Sequence, residues 1–419
     1  MKVSNTSLWL DTLKEKQQYS PLKSNIPVDV AIIGAGLTGI STAYALSQSK
    51  YSIAVIEKTN LENSVTAYTT AFLCQVIDTD LQDLVKMFGE KEAALIWQSH
   101  IDAIARIAAI IQKEKIECDF MYCHNYLVAF NEDDAKRLRE EEKIAKKLGF
   151  YVRFETNNLG FKNNGYLNIP KQAKFHPLYY LQGLKDACIA HNVQIYENTE
   201  ALKINTDKNL SIETSRGIVT AKYIIIATYD PFNHPLQLFG RRGMYISYIL
   251  EAEIQKNLLA EGLYEDQENP YHYWRVDKDI EHDRLIIGGE DHRHEFPVNK
   301  EKNYKILEKF LQKLLAKNKY TVVRKWDGPI LEPSDGLASI GRYKQNKNIY
   351  VAMAFSGNGM TYSSIAADIL NDLILNRKNP YEKIYRPTRI PTLKALMQKG
   401  SDYVGEAIGG AVKNTFTTI

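Results

Sequence analysis

Val28-Asp29-Val30-Ala31-Ile32-Ile33-Gly34-Ala35-Gly36-Leu37-Thr38-Gly39 is the stretch that decides the fold. Residues 28–33 are apolar apart from Asp29, the pattern of a strand buried on both faces of a parallel sheet, and they run straight into glycine. Leu37 to Ser47 has helical character, and Ile53 to Ile56 is a second buried strand. Strand, glycine turn, helix and strand make a βαβ unit. Each glycine of the pattern then has its own physical role. Gly34 permits the tight turn, Gly36 lets the backbone approach a pyrophosphate, and Gly39 lets the helix pack close on the strand. Leu37 and Thr38 open that helix, where free N–H groups and the dipole favour negative charge. The second strand ends at Glu57, 18 residues beyond Gly39, with Lys58 beside it. An acidic side chain there can accept hydrogen bonds from both ribose hydroxyls and repels a 2′-phosphate, which disfavours NADP.

Outward from this unit, Leu81 to Lys115 is helical, Tyr126 to Phe130 a strand, Glu132 to Leu148 a charged surface helix, and Pro177 to His191 another helix. Short strands follow at 193–196, 201–205, 210–214 and 218–227, and the chain beyond Asp230 is strand-rich, with Met244 to Leu250, His272 to Val276 and Leu285 to Ile287. Tyr350 to Ala354 is a last apolar strand, running into Ser356-Gly357-Asn358-Gly359 and a helix from Met360 to Leu375. The expected fold class is α/β (α+β overall): a Rossmann-like nucleotide-binding domain with an interleaved mixed or antiparallel-sheet substrate domain. Residues 1–26 read as an N-terminal arm; 27–90, 170–230 and 333–385 as a discontinuous cofactor domain; 91–169 and 231–332 as the substrate domain; and 386–419 as a helical tail.

Bulk properties narrow the function classes. The chain has 419 residues, 44% hydrophobic and 25% charged, which is the ordinary globular range. A net charge of +3 is too weak to argue for nucleic acid or an anionic membrane as partner, and neither is expected. Cys74, Cys118, Cys123 and Cys188 have no zinc-like spacing and read as buried free thiols, so no metal is expected. Asp11 and Lys14 interrupt the N-terminal apolar residues, which argues against a signal peptide, and no uncharged apolar run approaches the roughly 20 residues of a membrane span. A cytoplasmic location is the expectation by default.

The fingerprint alone does not choose between NAD and FAD. A nicotinamide enzyme continues with further βα units, whereas here a long helical excursion follows the second strand. The Gly357, Asn358, Gly359 and Met360 turn supplies a second helix N-terminus, able to stabilise the anionic reduced ring of a flavin. With these residues in place, the sequence resembles the D-amino acid oxidase-type flavoprotein family. Val28 to Glu57 is similar to the family's opening, Asp335-Gly336-Leu337-Ala338-Ser339-Ile340-Gly341 resembles its DGxPxIG segment, and Phe355-Ser356-Gly357-Asn358-Gly359-Met360 resembles the GFSGHG loop of sarcosine oxidase-like members. One branch is most similar: bacterial oxidoreductases whose flavin domain is followed by a Rieske iron–sulfur domain. That resemblance runs from Ser7 through Arg389 and takes in Ala67-Tyr68-Thr69-Thr70-Ala71, Lys174-Phe175-His176-Pro177, Pro270-Tyr271-His272-Tyr273-Trp274-Arg275 and Gly288-Gly289-Glu290-Asp291-His292.

The resemblance implies an FAD-dependent oxidoreductase that takes hydride from a carbon bearing an amine. It implies Thr69, Thr70 and Ala71 along the flavin diphosphate and ring, Ala201 and Leu202 against adenine, and residues 357–360 at the pyrimidine end. No cysteine follows Cys188, so the flavin is expected to be non-covalent. No CxH…CxxH ligand pairs occur, so no iron–sulfur cluster sits on this chain. Two departures bear on the substrate: Phe72 stands where the branch has lysine, and Trp326-Asp327-Gly328-Pro329-Ile330-Leu331 lacks the arginine with which glycine oxidase-like members hold a carboxylate. Candidate catalytic residues are Tyr273 and Arg275, which share one face of a strand, and His292. Three functions are open at this point: an oxidase or dehydrogenase of an amine or amino-acid-like small molecule, an electron-transfer component serving a separate Rieske or quinone acceptor, and a flavin-binding protein without catalysis.

Overall fold

The computed structural model describes residues 3–14, 18–60, 63–206, 209–229, 243–295 and 298–390. Residues 230–242, with Arg241 and Arg242, and residues 391–419 of the expected tail lie outside the described residues.

The first sheet has eight strands. Its spine runs Ser339–Tyr343, Asn346–Met353, Gly217–Ile226, Ile26–Ile33, Ile53–Ile56, Gln194–Tyr196, and the last five are parallel. Ser211–Thr214 and Ala201–Asn205 attach as an antiparallel ribbon. Register levels the carboxyl ends: Ile33 pairs with both Ile56 and Ile226, and Ile226 pairs with Val351. A crevice for a ligand forms outside such ends. The strand Ile26–Ile33 is apolar on alternate sides for two different partners. Val30 and Ile32 pack in the large core with the helices Leu37–Ser47, Pro177–Ala190 and Gly359–Ile374, while Ala31 and Ile33 pack with Ala201 and Ile212 from the ribbon.

The second sheet has nine strands in the order Tyr320–Glu332, Gly243–Ile254, Asp283–Arg293, His272–Asp277, Gly262–Asp266, Met121–Val128, Tyr166–Lys174, Phe72–Leu73, with Arg153–Glu155 alongside Tyr166–Lys174. Gly262–Asp266 pairs parallel with Met121–Val128, and the other pairs are antiparallel, so the sheet is mixed. The helix Lys300–Leu315 covers one face through Leu307, Phe310, Leu311 and Leu314. Phe310, Trp274, Tyr264, Phe161 and Phe130 form an aromatic nest there, with Tyr264 and Trp274 stacked at 5.2 Å.

One segment differs from the sequence reading. The expected polar arm contains a short helix, Leu8–Thr12, capped by Ser7, and Trp9 in it is only 3% exposed. The helix Glu90–Glu114 is long and apolar enough by composition to cross a membrane, although Asp102 and Arg106 interrupt it, so it is not an uncharged run. It packs on Leu81–Phe88 and Gly359–Ile374, buries Trp97 and His100, and pairs Arg106 with Asp368 at 3.1 Å.

Candidate functional site

A cleft of about 370 Å³ opens at the carboxyl ends of the parallel strands and continues onto the second sheet. Its first part is the glycine turn. Gly34 has φ +105°, and a Cβ there would stand 2.7 Å from the Ala227 carbonyl oxygen. A Cβ on Gly39 would lie 1.9 Å from the Gly34 carbonyl oxygen, so the helix can approach the turn only as glycine. Gly36 is different: a Cβ there meets only Thr66 Oγ1, at 3.9 Å. Its openness serves something outside the chain.

Glu57 lines the same end of the cleft. Its Oε2 accepts from the Ala35 N–H at 2.9 Å and its Oε1 from the Thr59 N–H at 2.9 Å, which fixes the carboxylate at the lip of the turn. The helix Leu37–Ser47 begins at Gly36 without a side-chain cap of its own, and Leu37 N–H meets only Thr66 Oγ1, at 3.3 Å. The helix Gly359–Ile374 likewise starts at the cleft with no side-chain cap, and a Cβ on Gly359 would meet nothing within 4 Å. Two helix N-termini without side-chain caps of their own, facing one cleft, favour negative charge on a ligand at two points.

Between them, the turn Val65–Tyr68 with Thr69 and Thr70 forms one wall, and Ala71 stands just behind it. Their carbonyl groups are tied to the protein interior by side chains from three separate elements. Trp326 Nε1 donates to Tyr68 O at 3.0 Å, Trp9 Nε1 to Thr69 O at 2.5 Å, and Arg275 to Thr70 O at 3.1 Å and Ala71 O at 3.4 Å. Ala71 has φ +60°, and Ala354 and Ser356 on the facing loop have φ +59° and +50°. Non-glycine residues held in the left-handed region collect where a site is preorganised.

The far end of the cleft is lined by Phe72, Cys74, Asp78, Ser247, Ile249, Glu265, Tyr271 and Tyr273. Tyr273 shares a hydrogen bond with Ser247 Oγ at 2.9 Å and meets Phe72 edge-on at 5.9 Å. Tyr271 donates to Asp291 at 2.9 Å. Burial pushes both phenols well above their usual range, so each is a neutral hydroxyl. Burial also pushes the Glu265 pKa up to about 8, against the opposing hydrogen bond that Asn125 donates at 2.9 Å. Asp78 accepts from the Gly357 N–H at 2.8 Å and so braces the second glycine loop.

The residues read from sequence divide into three sets. Gly34, Gly36, Leu37, Thr38, Glu57, Thr69, Thr70, Gly357, Asn358, Gly359, Met360 and Tyr273 all line the cleft. Gly39 and Ala71 stand just behind it, for the packing reasons above. Lys58, Ala201, Leu202, Arg275 and His292 do not line it. Lys58 is exposed and paired with Glu200 at 2.8 Å, and Leu202 is 49% exposed. Arg275, expected beside the substrate, is buried under Trp9, paired with Asp277 and committed to backbone carbonyls. His292 stacks on Tyr248 and shares a hydrogen bond with its hydroxyl at 3.1 Å. Asp78 and Glu265 were missed by sequence reasoning: neither belongs to a motif, and a loop and a strand distant in the chain bring them to one cleft.

Asp266, Glu268 and His272 lie close enough to share an ion. Their groups are engaged instead: Asp266 accepts from the backbone of Glu268 and His272, His272 lies between Asp266 and Glu290, and the Glu268 carboxylate accepts from Lys313 at 3.1 Å.

The donor set fits FAD. The open Gly36 and Gly359 positions, the two helix ends and Glu57, which lines the cleft beside the first turn, would hold a dinucleotide along the cleft. Residues 29–373 match the family described as FAD dependent oxidoreductase, and the chain belongs to that family. It is an FAD-dependent oxidoreductase with the mixed α/β fold of the D-amino acid oxidase group. Among curated relatives it is 29% identical over 412 residues to a Rieske 2Fe-2S iron–sulfur protein of Bacillus subtilis, YhfW, covering 96% of this chain and 80% of that one. It is 23% identical over 394 residues to gamma-glutamylputrescine oxidoreductase of Escherichia coli, covering 89% and 90% of the two. Its fold matches glycine oxidase from Geobacillus kaustophilus with a TM-score of 0.74 at 17% identity, over 87% of this chain and 100% of that one. It also matches L-proline dehydrogenase from P. horikoshii with a TM-score of 0.72 at 16% identity, over 88% and 98%.

Proposed function

We propose that this enzyme oxidises the C–N bond of a small amine or amino-acid-like molecule. The carrying observation is that one continuous cleft joins the glycine cradle to a pocket of neutral tyrosines and aromatic wall. When bound, FAD supplies the chemistry by accepting hydride from the carbon that bears the nitrogen. The chain's residues do the rest. Phe72, Tyr271 and Tyr273 wall the substrate and limit water at the reacting carbon. The Ser247–Tyr273 pair offers one fixed hydroxyl for orientation. The amine must be neutral to release hydride, and Glu265, whose pKa burial raises to about 8, can take up its proton where the carboxyl is ionised, as pH rises through about 8. The similarity to a protein named for its Rieske centre supports a second reading of the electron path, in which a separate acceptor replaces oxygen.

The test is anaerobic. The FAD-loaded protein is mixed with a panel of primary and secondary amines and amino acids, and loss of flavin absorbance is followed. Bleaching by at least one member supports the reading, and none across the panel overturns it. Readmitting air to the bleached sample then separates the electron paths: rapid recovery with peroxide marks an oxidase, and slow recovery sped by a quinone or dye marks a dehydrogenase.

A further inference from the structure

We propose that Asn125 is a positioning residue for proton removal from the substrate, its side-chain amide holding Glu265 at the cleft to take the proton of the bound ammonium. This deepens the reading of the cleft as an amine-oxidising site and rests on it.

Neighbouring strands of the second sheet bring the parts together. Glu265 stands opposite Tyr273 in register, and both line the cleft. On its other side, Gly262–Asp266 pairs with Met121–Val128, where Asn125 lies opposite Leu263 and its Nδ2 donates to Glu265 Oε1 at 2.9 Å. A bulge adjoins Asn125. Cys123 pairs with Gln172 and Asn125 with Ile169, so Pro170 and Lys171 oppose His124, with Lys171 at φ +60°. Bulges of this kind redirect a side chain and gather near active sites.

Asn125 is wholly buried, an uncommon place for an asparagine. Its Oδ1 is enclosed and accepts no hydrogen bond among the described residues. An acceptor left unmet in the interior is unfavourable unless a donor comes to it. Glu265 supplies one when it is protonated. The amide has a donor for the carboxylate and an acceptor for the carboxylic acid, so it holds Glu265 through a proton's arrival and departure.

The groups around Glu265 fix the sign. Burial is the main cause that raises its pKa to about 8, and Asp78 and Asp80 from the loop after Phe72–Leu73, with Asp266 on its own strand, act the same way. The Asn125 bond acts the other way, because donation to the charged form is the stronger bond. Cys74 and Cys123, packed with Leu263 of the same strand face, and Tyr273 are neutral, each pushed up by burial. Arg275, opposite Leu263, is paired with Asp277 at 3.0 Å. At neutral pH Glu265 is therefore mostly the acid, and it becomes the acceptor as pH rises through about 8. In the transfer one N–H bond of the ammonium breaks, its electron pair stays on nitrogen, and the proton bonds to a Glu265 oxygen. The product is the neutral amine that can release hydride.

Two measurements on the FAD-loaded protein test this. The first needs no turnover: infrared difference spectra against pH follow the C=O band of the protonated carboxyl, assigned to Glu265 by its absence in Glu265→Gln. We expect Asn125→Leu to move that titration up by about half a unit or more, because the bond favouring the charged form is lost. A midpoint unchanged or lowered in Asn125→Leu overturns the positioning role. The second is stopped-flow flavin reduction against pH, at saturation with the amine of the panel that bleaches fastest. The wild-type rate should rise with pH, and Asn125→Leu should shift that rise upward with FAD content unchanged. Glu265→Gln should be slower by about tenfold or more near neutral pH and recover only where the amine itself becomes neutral. Glu265→Gln keeps an amide partner for Asn125, so it decides the matter should the leucine variant not fold: a wild-type rate and pH profile in it overturns the inference. The broader reading fails differently, with no amine bleaching the flavin while the infrared titration still moves.

Discussion

The Arg275 guanidinium donates to the Thr70 carbonyl oxygen at 3.1 Å, linking the second sheet to the wall of the cofactor cleft. The same group reaches Ala71 O, Phe175 O and Asp277 and lies over the Trp9 ring at 5.2 Å. Its planar fork reaches all these acceptors at once, which a lysine ammonium cannot do. Arg275→Lys keeps the charge near Asp277 and loses the fork. We expect this variant to fold, because Lys174 also neutralises Asp277, but to bind FAD at least about tenfold more weakly. Fluorescence titration of the apoprotein with FAD checks it; unchanged affinity would make Arg275 a stabiliser of the second sheet alone.

The glycines of the first turn separate folding from binding. At Gly36 an added methyl meets only Thr66 Oγ1 at 3.9 Å, and φ is −67°, so alanine costs the apoprotein little. The methyl projects into the cleft where a pyrophosphate would lie. Gly36→Ala should therefore melt like wild type without cofactor and lose FAD binding. Gly39→Ala forces a Cβ to 1.9 Å from the Gly34 carbonyl oxygen, so the helix must move and the apoprotein itself should be destabilised by about 1–3 kcal/mol or more. Thermal melts of the two apoproteins, followed by FAD titration, decide it. Equal destabilisation of both variants would remove the argument that Gly36 is open for a ligand.

His272 sets a pH dependence on stability. Burial disfavours its charged form, but hydrogen bonds with Asp266 at 2.9 Å and Glu290 at 3.3 Å outweigh that and raise its pKa to about 9. In the unfolded chain the value returns to about 6.5. A raised folded pKa means that stability is fully present below about 6.5 and is lost as pH rises through about 9. The ring also stacks on Phe310 at 3.8 Å, a contact independent of charge. His272→Gln should lower the melting temperature most near pH 6, and the gap from wild type should narrow toward pH 9.5. A gap that stays constant or widens with pH would show that packing on Phe310, not the ion pairs, holds this corner.

What the sequence disclosed follows from how local each signal is. The βαβ unit was legible because a parallel strand buried on both faces is a continuous apolar run, and Leu37–Ser47 and Ile53–Ile56 fall where the periodicity puts them. The second sheet was read only in part. Tyr166–Lys174 contains Pro170 and a lysine that is 2% exposed, and its sense as a strand depends on Glu261 and Asp277 reaching Lys174 from far along the chain. The helix Lys300–Leu315 escaped notice among its many lysines, although Tyr304, Leu307, Leu311 and Leu314 mark its buried side. In the site, motif residues were found because glycine turns carry their own constraint. Arg275 and His292 were drawn to the substrate by residue type, whereas partners supplied by distant segments engage them elsewhere. Glu265 and Asp78 had no local signature at all.

Tyr273 offers the sharpest test of the substrate wall, because two substitutions approach it from opposite sides. Its ring lies over Gly288 in register on the neighbouring strand, and a Cβ on Gly288 would come within 2.4 Å of the Tyr273 hydroxyl oxygen. Gly288→Ala keeps the tyrosine but displaces it. Tyr273→Phe keeps the ring in place against Phe72 and removes the hydroxyl shared with Ser247. If the hydroxyl orients the amine, Tyr273→Phe should lower the rate of flavin reduction by about tenfold or more with FAD content unchanged, and Ser247→Ala should follow in the same direction. If the ring matters only as a wall, Tyr273→Phe reduces flavin at the wild-type rate while Gly288→Ala slows it. Stopped-flow reduction with the best amine from the panel separates the two, and because neither residue touches the glycine turn, a loss of FAD from either variant would place the cofactor ring deeper toward the second sheet than the helix ends alone imply.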